Sequence, residues 1–97
     1  MVIRVLDIVD QCYSNEDGQA VYRKIKPRVI TGAPFTLSFA GVSAVTSSFV
    51  NSALIDLLDS VEFYQIKQTV KITDVNQTVG QVIKRRFAFE TQGRIGA

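Results

Sequence analysis

The sequence contains no histidine, no tryptophan and a single cysteine, Cys12, among its 97 residues. Without an imidazole the chain has no histidine general base, no Ser-His-Asp or Cys-His pair and no histidine-ligated metal. Asp10, Glu16 and Asp17 lie close to Cys12 along the chain, and their negative charge opposes formation of a thiolate there. We therefore expect a protein that is not an enzyme and that carries no cofactor and no metal.

A lone cysteine also cannot form an internal disulfide bond. This favours a reducing compartment, and we expect a cytoplasmic protein. Long apolar runs are missing as well, since no stretch approaches the roughly 18 apolar residues that a membrane-spanning helix needs. The apolar segment 1–9 is interrupted by Arg4 and Asp7, which spoils the core of a signal peptide. The sequence thus predicts no association with a membrane.

A large excess of charge of either sign is missing, because 11 basic residues face 9 acidic ones and the net charge is +2. Such a balance does not favour binding to a phosphate backbone, so nucleic acid is not the expected partner. With 46% hydrophobic and 21% charged residues, the chain has the composition of one folded unit. We expect a single domain over residues 1–97, in which 91–97 form a flexible tail.

Three segments have the residue pattern of β-strands. Residues 2–9 are dense in β-branched side chains, and apolar residues alternate with small or polar ones in 35–40 and 69–73. Only one face of the second and third strands is apolar, whereas a parallel sheet covered on both faces is apolar throughout. We therefore expect helices on one side of the sheet and an open or partner-covered face on the other.

Helices are predicted between and after these strands from the helical spacing of apolar residues. The first begins near Gln19 and is interrupted by Pro27, the second spans 50–61, and the third covers 79–87 after a polar cap within 74–76. Because strands and helices alternate, right-handed crossovers make the sheet mostly parallel. The predicted fold class is α/β, a small mostly parallel sheet with helices packed on one face in the order β-α-β-α-β-α.

The loops that follow the three strands, 10–18, 41–47 and 74–77, are expected to share one rim of such a sheet. Binding sites of open sheets usually lie there. One possible function is therefore a small-ligand or nucleotide-sensing domain that uses this rim.

Within the second loop, three consecutive hydroxyl residues, Thr46, Ser47 and Ser48, stand at the start of a predicted helix. One interpretation is that Thr46 or Ser47 only caps the helix, which contributes about 1 kcal/mol to stability. The other is that one hydroxyl accepts a phosphoryl group, whose negative charge suits the positive end of the helix dipole.

The segment 37–49, LSFAGVSAVTSSF, resembles the signature of STAS domains, the fold of anti-sigma-factor antagonists. It is more similar still to a STAS-like family of unknown function, and the similarity extends over residues 18–89. The resemblance implies a small sheet with helices on one side. In the antagonists, a GHKL-type kinase phosphorylates the first serine of an Asp-Ser-Ser-Gly helix start, which implies Ser47 as the phosphoacceptor candidate. Thr46 replaces the aspartate of that start, and Ser38 stands where a strand aspartate is usual.

We accordingly expect a non-catalytic interaction or signalling module that docks a partner protein, a GHKL-type ATPase or kinase, through the loop and helix at 42–58. The residues expected to shape this contact are Val42, Ser43, Val45, Thr46, Ser48 and Phe49. Phosphorylation of Ser47 would weaken docking by placing a dianion against apolar surface. By the same resemblance the usual first edge strand is missing, so an exposed sheet edge can recruit a second copy into a homo-oligomer.

A third possible function is nucleic acid binding by the end of the last predicted helix. Lys84, Arg85 and Arg86 precede Phe87 and Phe89, a combination that suits phosphate contact and base stacking in nucleic acid binding. Cations are also favoured in the last turn of any helix, which is the simpler explanation of this cluster.

Overall fold

The computed structural model describes the backbone of residues 1–95 and the side chains of residues 1–92. Its sheet has three strands, β1 (Val2–Arg4), β2 (Phe35–Ser38) and β3 (Val70–Thr73), in the order β1-β2-β3. Both pairs are parallel, with Ile3 opposite Leu37 and Leu37 opposite Ile72. The predicted α/β fold class with a small parallel sheet is confirmed.

Helices cover one face of this sheet, as the alternating pattern predicted. Ile3, Phe35 and Leu37 are buried on the helical side, whereas Val2 and Lys71 on the other side are exposed. Two successive right-handed crossovers in the strand order β1-β2-β3 place both connecting segments on the same face.

β1 is shorter than the predicted strand 2–9. Arg4 is paired with Ser38, the last residue of β2, so no β2 residue remains to pair with the chain beyond it. Val5–Asp7 therefore winds into a 3₁₀ turn, and Val5 stays fully buried. The strand predicted over residues 2–9 is thus confirmed only for Val2–Arg4, and its predicted length was wrong.

The first helix, α1 (Asn15–Thr31), begins earlier than predicted and continues through Pro27. The Ser14 hydroxyl accepts a hydrogen bond from the Asp17 N–H at 3.1 Å and caps its start. Gly32, with φ of 72°, ends it in the left-handed conformation that glycine adopts without strain. The predicted interruption at Pro27 does not occur.

The predicted second helix, 50–61, is not continuous. It consists of α2 (Ser47–Ala53) and a 3₁₀ turn (Ile55–Asp59), and a separate helix, α3 (Phe63–Thr69), follows. The apolar stripe predicted for this segment is nevertheless buried at Leu54, Leu57 and Leu58. The tighter 3₁₀ winding places residues three apart on the same side, so Ile55 is turned inward together with Leu58.

The last helix, α4 (Gln77–Ile95), follows β3. Its start is capped by Asn76, whose Oδ1 accepts a hydrogen bond from the Val79 N–H at 2.8 Å. The helix includes residues 91–95 of the segment predicted as a flexible tail, and Thr91 is buried with its hydroxyl donating to the Phe87 carbonyl. Residues 96–97 of that segment lie outside the described residues. Among residues 1–95, no helix is apolar over a stretch long enough to cross a membrane.

Candidate functional site

The loops after β1 and β2 meet at the carboxyl end of the sheet. The Thr46 N–H donates to the Cys12 carbonyl at 3.1 Å, and the Thr46 hydroxyl donates to the Tyr13 carbonyl at 2.9 Å. The loop after β3 joins them, because Asn76 Nδ2 donates to the Ser43 carbonyl at 2.9 Å. The structure thus brings the three predicted loops together into one rim, which is held by backbone carbonyls of neighbouring loops.

Thr46 is the cap of α2. Its backbone is extended, and its Oγ1 accepts a hydrogen bond from the Phe49 N–H at 3.1 Å. Together with the bond to Tyr13, this contact uses the hydroxyl both as donor and as acceptor. The capping interpretation is therefore correct for Thr46, and its half-buried hydroxyl is not available for modification.

Ser47 and Ser48 have a different environment. Both are exposed in the first turn of α2, and neither hydroxyl has a hydrogen-bond partner among the residues that the structure describes. The first turn of α2 contains no acidic side chain, so its free N–H groups face no neighbouring carboxylate from this turn. An added negative charge at Ser47 would thus lie at the positive end of α2 without breaking a contact of the fold.

The apolar residues of the loop lie in the core. Val42 and Val45 are buried, and Phe49 is fully enclosed between the helices and the sheet. Of the residues predicted to shape a partner contact, Ser43 and Ser48 are exposed and Thr46 is half-buried. The three buried apolar side chains therefore anchor the loop to the core, and its accessible surface consists of the exposed serines.

Asp74 lies in the third predicted rim loop, 74–77, and within the segment 74–76 that was predicted to cap the last helix. Its Oδ2 accepts hydrogen bonds from the Ser38 hydroxyl at 2.7 Å and from the Thr73 hydroxyl at 3.2 Å. Ser38 Oγ in turn accepts from the Ala40 N–H at 3.2 Å. Asp74 has a φ of 60°, a conformation that asparagine and aspartate adopt more readily than most residues. A carboxylate that directly follows β3 thereby supports the chain as it leaves β2.

Cys12 lies beneath the rim and is 1% exposed. Burial, and secondarily the negative charge of Asp17, raise the pKa of its thiol to about 11. The thiol is therefore protonated at neutral pH and is a poor nucleophile. The small cleft above it, between the first two loops, has a volume of about 80 Å³, well below the roughly 300–1,000 Å³ of ordinary small-ligand sites. Among the described residues, no group of three or more acidic or cysteine side chains is arranged to hold a metal ion.

Part of the cationic cluster of α4, Lys84 to Arg86, makes contacts within the protein. Arg86 Nε donates to Asn51 Oδ1 at 2.7 Å, and its guanidinium lies 3.7 Å from the Glu90 carboxylate. Phe87 is buried and stacks on Phe63 with ring centroids 5.0 Å apart. Arg86 and Phe87 thus attach α4 to the rest of the protein, which favours the structural explanation of the cluster over nucleic acid binding.

A small parallel sheet covered by helices on one face, with a hydroxyl-rich loop leading into α2, is consistent with a STAS-like fold. Residues 17–79 match the family described as a STAS-like domain of unknown function, and the chain belongs to this family. The match runs from the first turn of α1 through β2, α2 and β3 to the first turn of α4. Comparison with curated proteins and with solved structures gives no match.

Proposed function

We propose that this protein is a non-catalytic interaction module that docks a partner protein through the loop before α2 and the exposed side of the 42–58 segment, and that phosphorylation of Ser47 controls docking. The observation that carries the proposal is the contrast at the start of α2. Thr46 supplies the cap of the helix, which leaves Ser47 exposed with a hydroxyl that no described residue binds. A phosphoryl group at Ser47 changes the surface while the helix start stays intact.

The proposed partner is a GHKL-type ATPase or kinase. This class follows from the similarity of the 37–49 segment to STAS antagonists, in which such a kinase phosphorylates the first serine after the helix cap. A non-catalytic role is supported by the lack of histidine and by the raised pKa of the buried Cys12 thiol. The lone cysteine also favours a reducing compartment, and a cytoplasmic location belongs to the proposal.

The first test is phosphoryl transfer. The purified protein is incubated with ATP and a GHKL-type ATPase encoded by the same genome, and the intact mass is measured. We expect the mass to increase by one phosphoryl group in the wild-type protein and not in Ser47→Ala. A phosphoryl group that still appears on Ser47→Ala would reject Ser47 as the acceptor.

The second test separates charge at Ser47 from charge in general. Ser47→Asp is expected to abolish binding to the same partner and to leave the melting temperature nearly unchanged, because an acidic residue is tolerated at a helix start. Ser60→Asp adds the same charge at an exposed serine outside the 42–58 segment and is expected to bind normally. Equal affinities of Ser47→Asp and wild type would reject the control role of Ser47.

The alternative function, a small-ligand or nucleotide-sensing rim, has less support. The cleft between the first two loops, about 80 Å³ in volume, is too small to enclose a nucleotide. A nucleotide that raises the melting temperature in the absence of any partner protein would favour this alternative.

A further inference from the structure

The free edge of β1 carries unpaired backbone groups. Within residues 1–95, β1 pairs only with β2, and the Thr36 N–H donates to the Met1 carbonyl at 2.9 Å. Backbone groups of successive strand residues point to opposite sides, so those of Val2 and Arg4 point away from β2. The Arg4 carbonyl accepts the first hydrogen bond of the 3₁₀ turn Val5–Asp7, which leaves the Val2 N–H, the Val2 C=O and the Arg4 N–H free. Such a row of free N–H and C=O groups is a template for an added strand.

A groove lies beside this edge, between β1 and α1. It consists of two hollows of about 440 and 490 Å³, which share Met1, Ile3 and Lys24 in their walls. Ile8 and Ala33 add further apolar surface at its two ends. An extended chain on β1 would direct every second side chain into this groove, because strand side chains alternate between the two faces.

The charge around the groove is mainly positive. Arg4, Lys24 and Arg28 line it, whereas Asp7 is the only carboxylate among the described lining residues. None of these three cations forms an ion pair with another described residue. From the free edge, the groove and this charge, we infer that β1 binds an extended acidic segment of a partner protein, which adds a strand to the sheet and places its carboxylates near Lys24 and Arg28.

A second copy of this chain is a poorer occupant of the same edge. Pairing of two β1 strands about a two-fold axis would bring Arg4, Lys24 and Arg28 of each copy toward those of the other. The resulting repulsion between like charges opposes association, whereas an acidic segment gains attraction from the same three side chains.

The test uses the full chain and two synthetic peptides of about ten residues, a typical upper length for a strand. One peptide alternates valine with glutamate and the other alternates valine with lysine. We expect the glutamate peptide to bind and to protect the Val2 and Arg4 amides from hydrogen exchange. The lysine peptide, and a glutamate peptide with N-methylated amides along one edge, are expected not to bind.

A pair of variants isolates the backbone contribution. Arg4→Pro removes an outward N–H, which an edge strand tolerates, and Arg4→Ala removes the same side-chain charge but keeps that N–H. We expect Arg4→Pro to bind the glutamate peptide about five- to tenfold more weakly than Arg4→Ala, the effect of one lost hydrogen bond. Circular dichroism verifies that both variants are folded, and the N-methylated peptide supplies the same test on wild-type protein.

A second pair isolates the charge. Lys24→Glu is expected to weaken binding of the glutamate peptide about tenfold, with a larger effect at low salt. Lys84→Glu, the same change on α4, is expected to leave it unaltered. Equal affinity for the glutamate and lysine peptides, or equal affinity of Arg4→Pro and Arg4→Ala, would overturn the inference. The inference would also be overturned if the wild-type protein formed a dimer in sedimentation analysis and Arg4→Pro dissociated that dimer. Ser47→Ala is expected to bind the peptide normally, so a failure here is distinct from a failure of the Ser47 proposal.

Discussion

At the scale of single residues, the start of α2 shows how one position decides the role of a hydroxyl. Thr46 precedes the helix with a φ of −97° and a ψ of 161°, and this extended backbone directs its Oγ1 to the Phe49 N–H. Ser47 and Ser48 are already helical, and their side chains are exposed. The sequence predicted a cap at Thr46 or Ser47 without deciding between them, because both residue types are good caps. The contact to Tyr13, 33 residues away, selects Thr46.

Cys12 gives a prediction about pH. Burial, followed by the charge of Asp17, raises its pKa from 9.0 to about 11 in the folded protein. Between these values the unfolded state loses a proton that the folded state keeps, so the free energy of unfolding falls as pH rises. We expect a loss of roughly 2–3 kcal/mol over that window, measured by urea unfolding at a series of pH values.

Cys12→Ala is the control for this measurement. Lysine and tyrosine side chains also titrate in alkaline solution, and they remain in the variant. The steeper decline of the wild-type profile relative to the variant is the contribution of Cys12. Parallel profiles would show that the thiol ionises equally in the folded and unfolded states.

At the scale of elements, α1 shows packing prevailing over a local signal. Pro27 lacks an N–H and ordinarily interrupts a helix. The side chains of Val21, Ile25 and Val29 are nevertheless fully buried along one face, on both sides of the proline. Their burial stabilises a single continuous helix, and the exposed Pro27 ring lies on its other side. A sequence pattern cannot compare the cost of the proline with the gain from burying these side chains, because the burial depends on the sheet and α2.

The contact between α1 and α2 gives a second prediction. A Cβ on Gly18 would lie 2.6 Å from the Phe49 carbonyl oxygen and 2.7 Å from Ser52 Cβ. Gly18→Ala is therefore expected to lower the free energy of unfolding by about 1–3 kcal/mol, because neither the backbone nor the buried Ser52 can withdraw. Ser52 is fixed further by its hydrogen bond to Asn15.

Gly80 provides the matched control in α4. A Cβ there would meet only Val75 Cγ2, at an ordinary distance of 3.7 Å. Gly80→Ala is expected to raise the free energy of unfolding by about 0.5–1 kcal/mol, since alanine is the better helix former. Chemical denaturation of the two variants measures both effects, and a shift of the same sign in both would contradict the close approach of α1 and α2.

At the scale of the whole molecule, α4 closes the core on the side of α2 and α3. Phe87 is 7% exposed and stacks on Phe63, whereas Phe89, two residues later, is 68% exposed. Phe87→Ala is expected to cost about 3–5 kcal/mol of unfolding free energy, because it leaves a cavity between α3 and α4. Phe89→Ala is expected to change it by no more than about 0.5 kcal/mol.

Denaturant unfolding of both variants tests this arrangement of α4. A small effect of Phe87→Ala would show that α4 packs on the core mainly through other side chains. A large effect of Phe89→Ala would place the second ring in a contact that its exposure does not indicate.

The sequence by itself determined the fold class, the parallel orientation of the strands and most of the core. Alternation at Phe35, Leu37 and Phe39 requires one buried face, and this information is local because neighbouring strand residues point to opposite sides. The sequence also singled out the hydroxyl stretch that leads into α2. These features follow from the periods of strands and helices, which are properties of consecutive residues.

Only the tertiary structure decided where β1 ends, whether α1 continues through Pro27 and which hydroxyl caps α2. Each of these depends on residues distant in sequence: Ser38 for β1, the sheet and α2 for α1, and Tyr13 for Thr46. The carboxylate of Asp74 beside Ser38, 36 residues away, belongs to the same group. The physical reason is that the free energy of such contacts comes from burial and hydrogen bonds between elements, and no local pattern contains both partners.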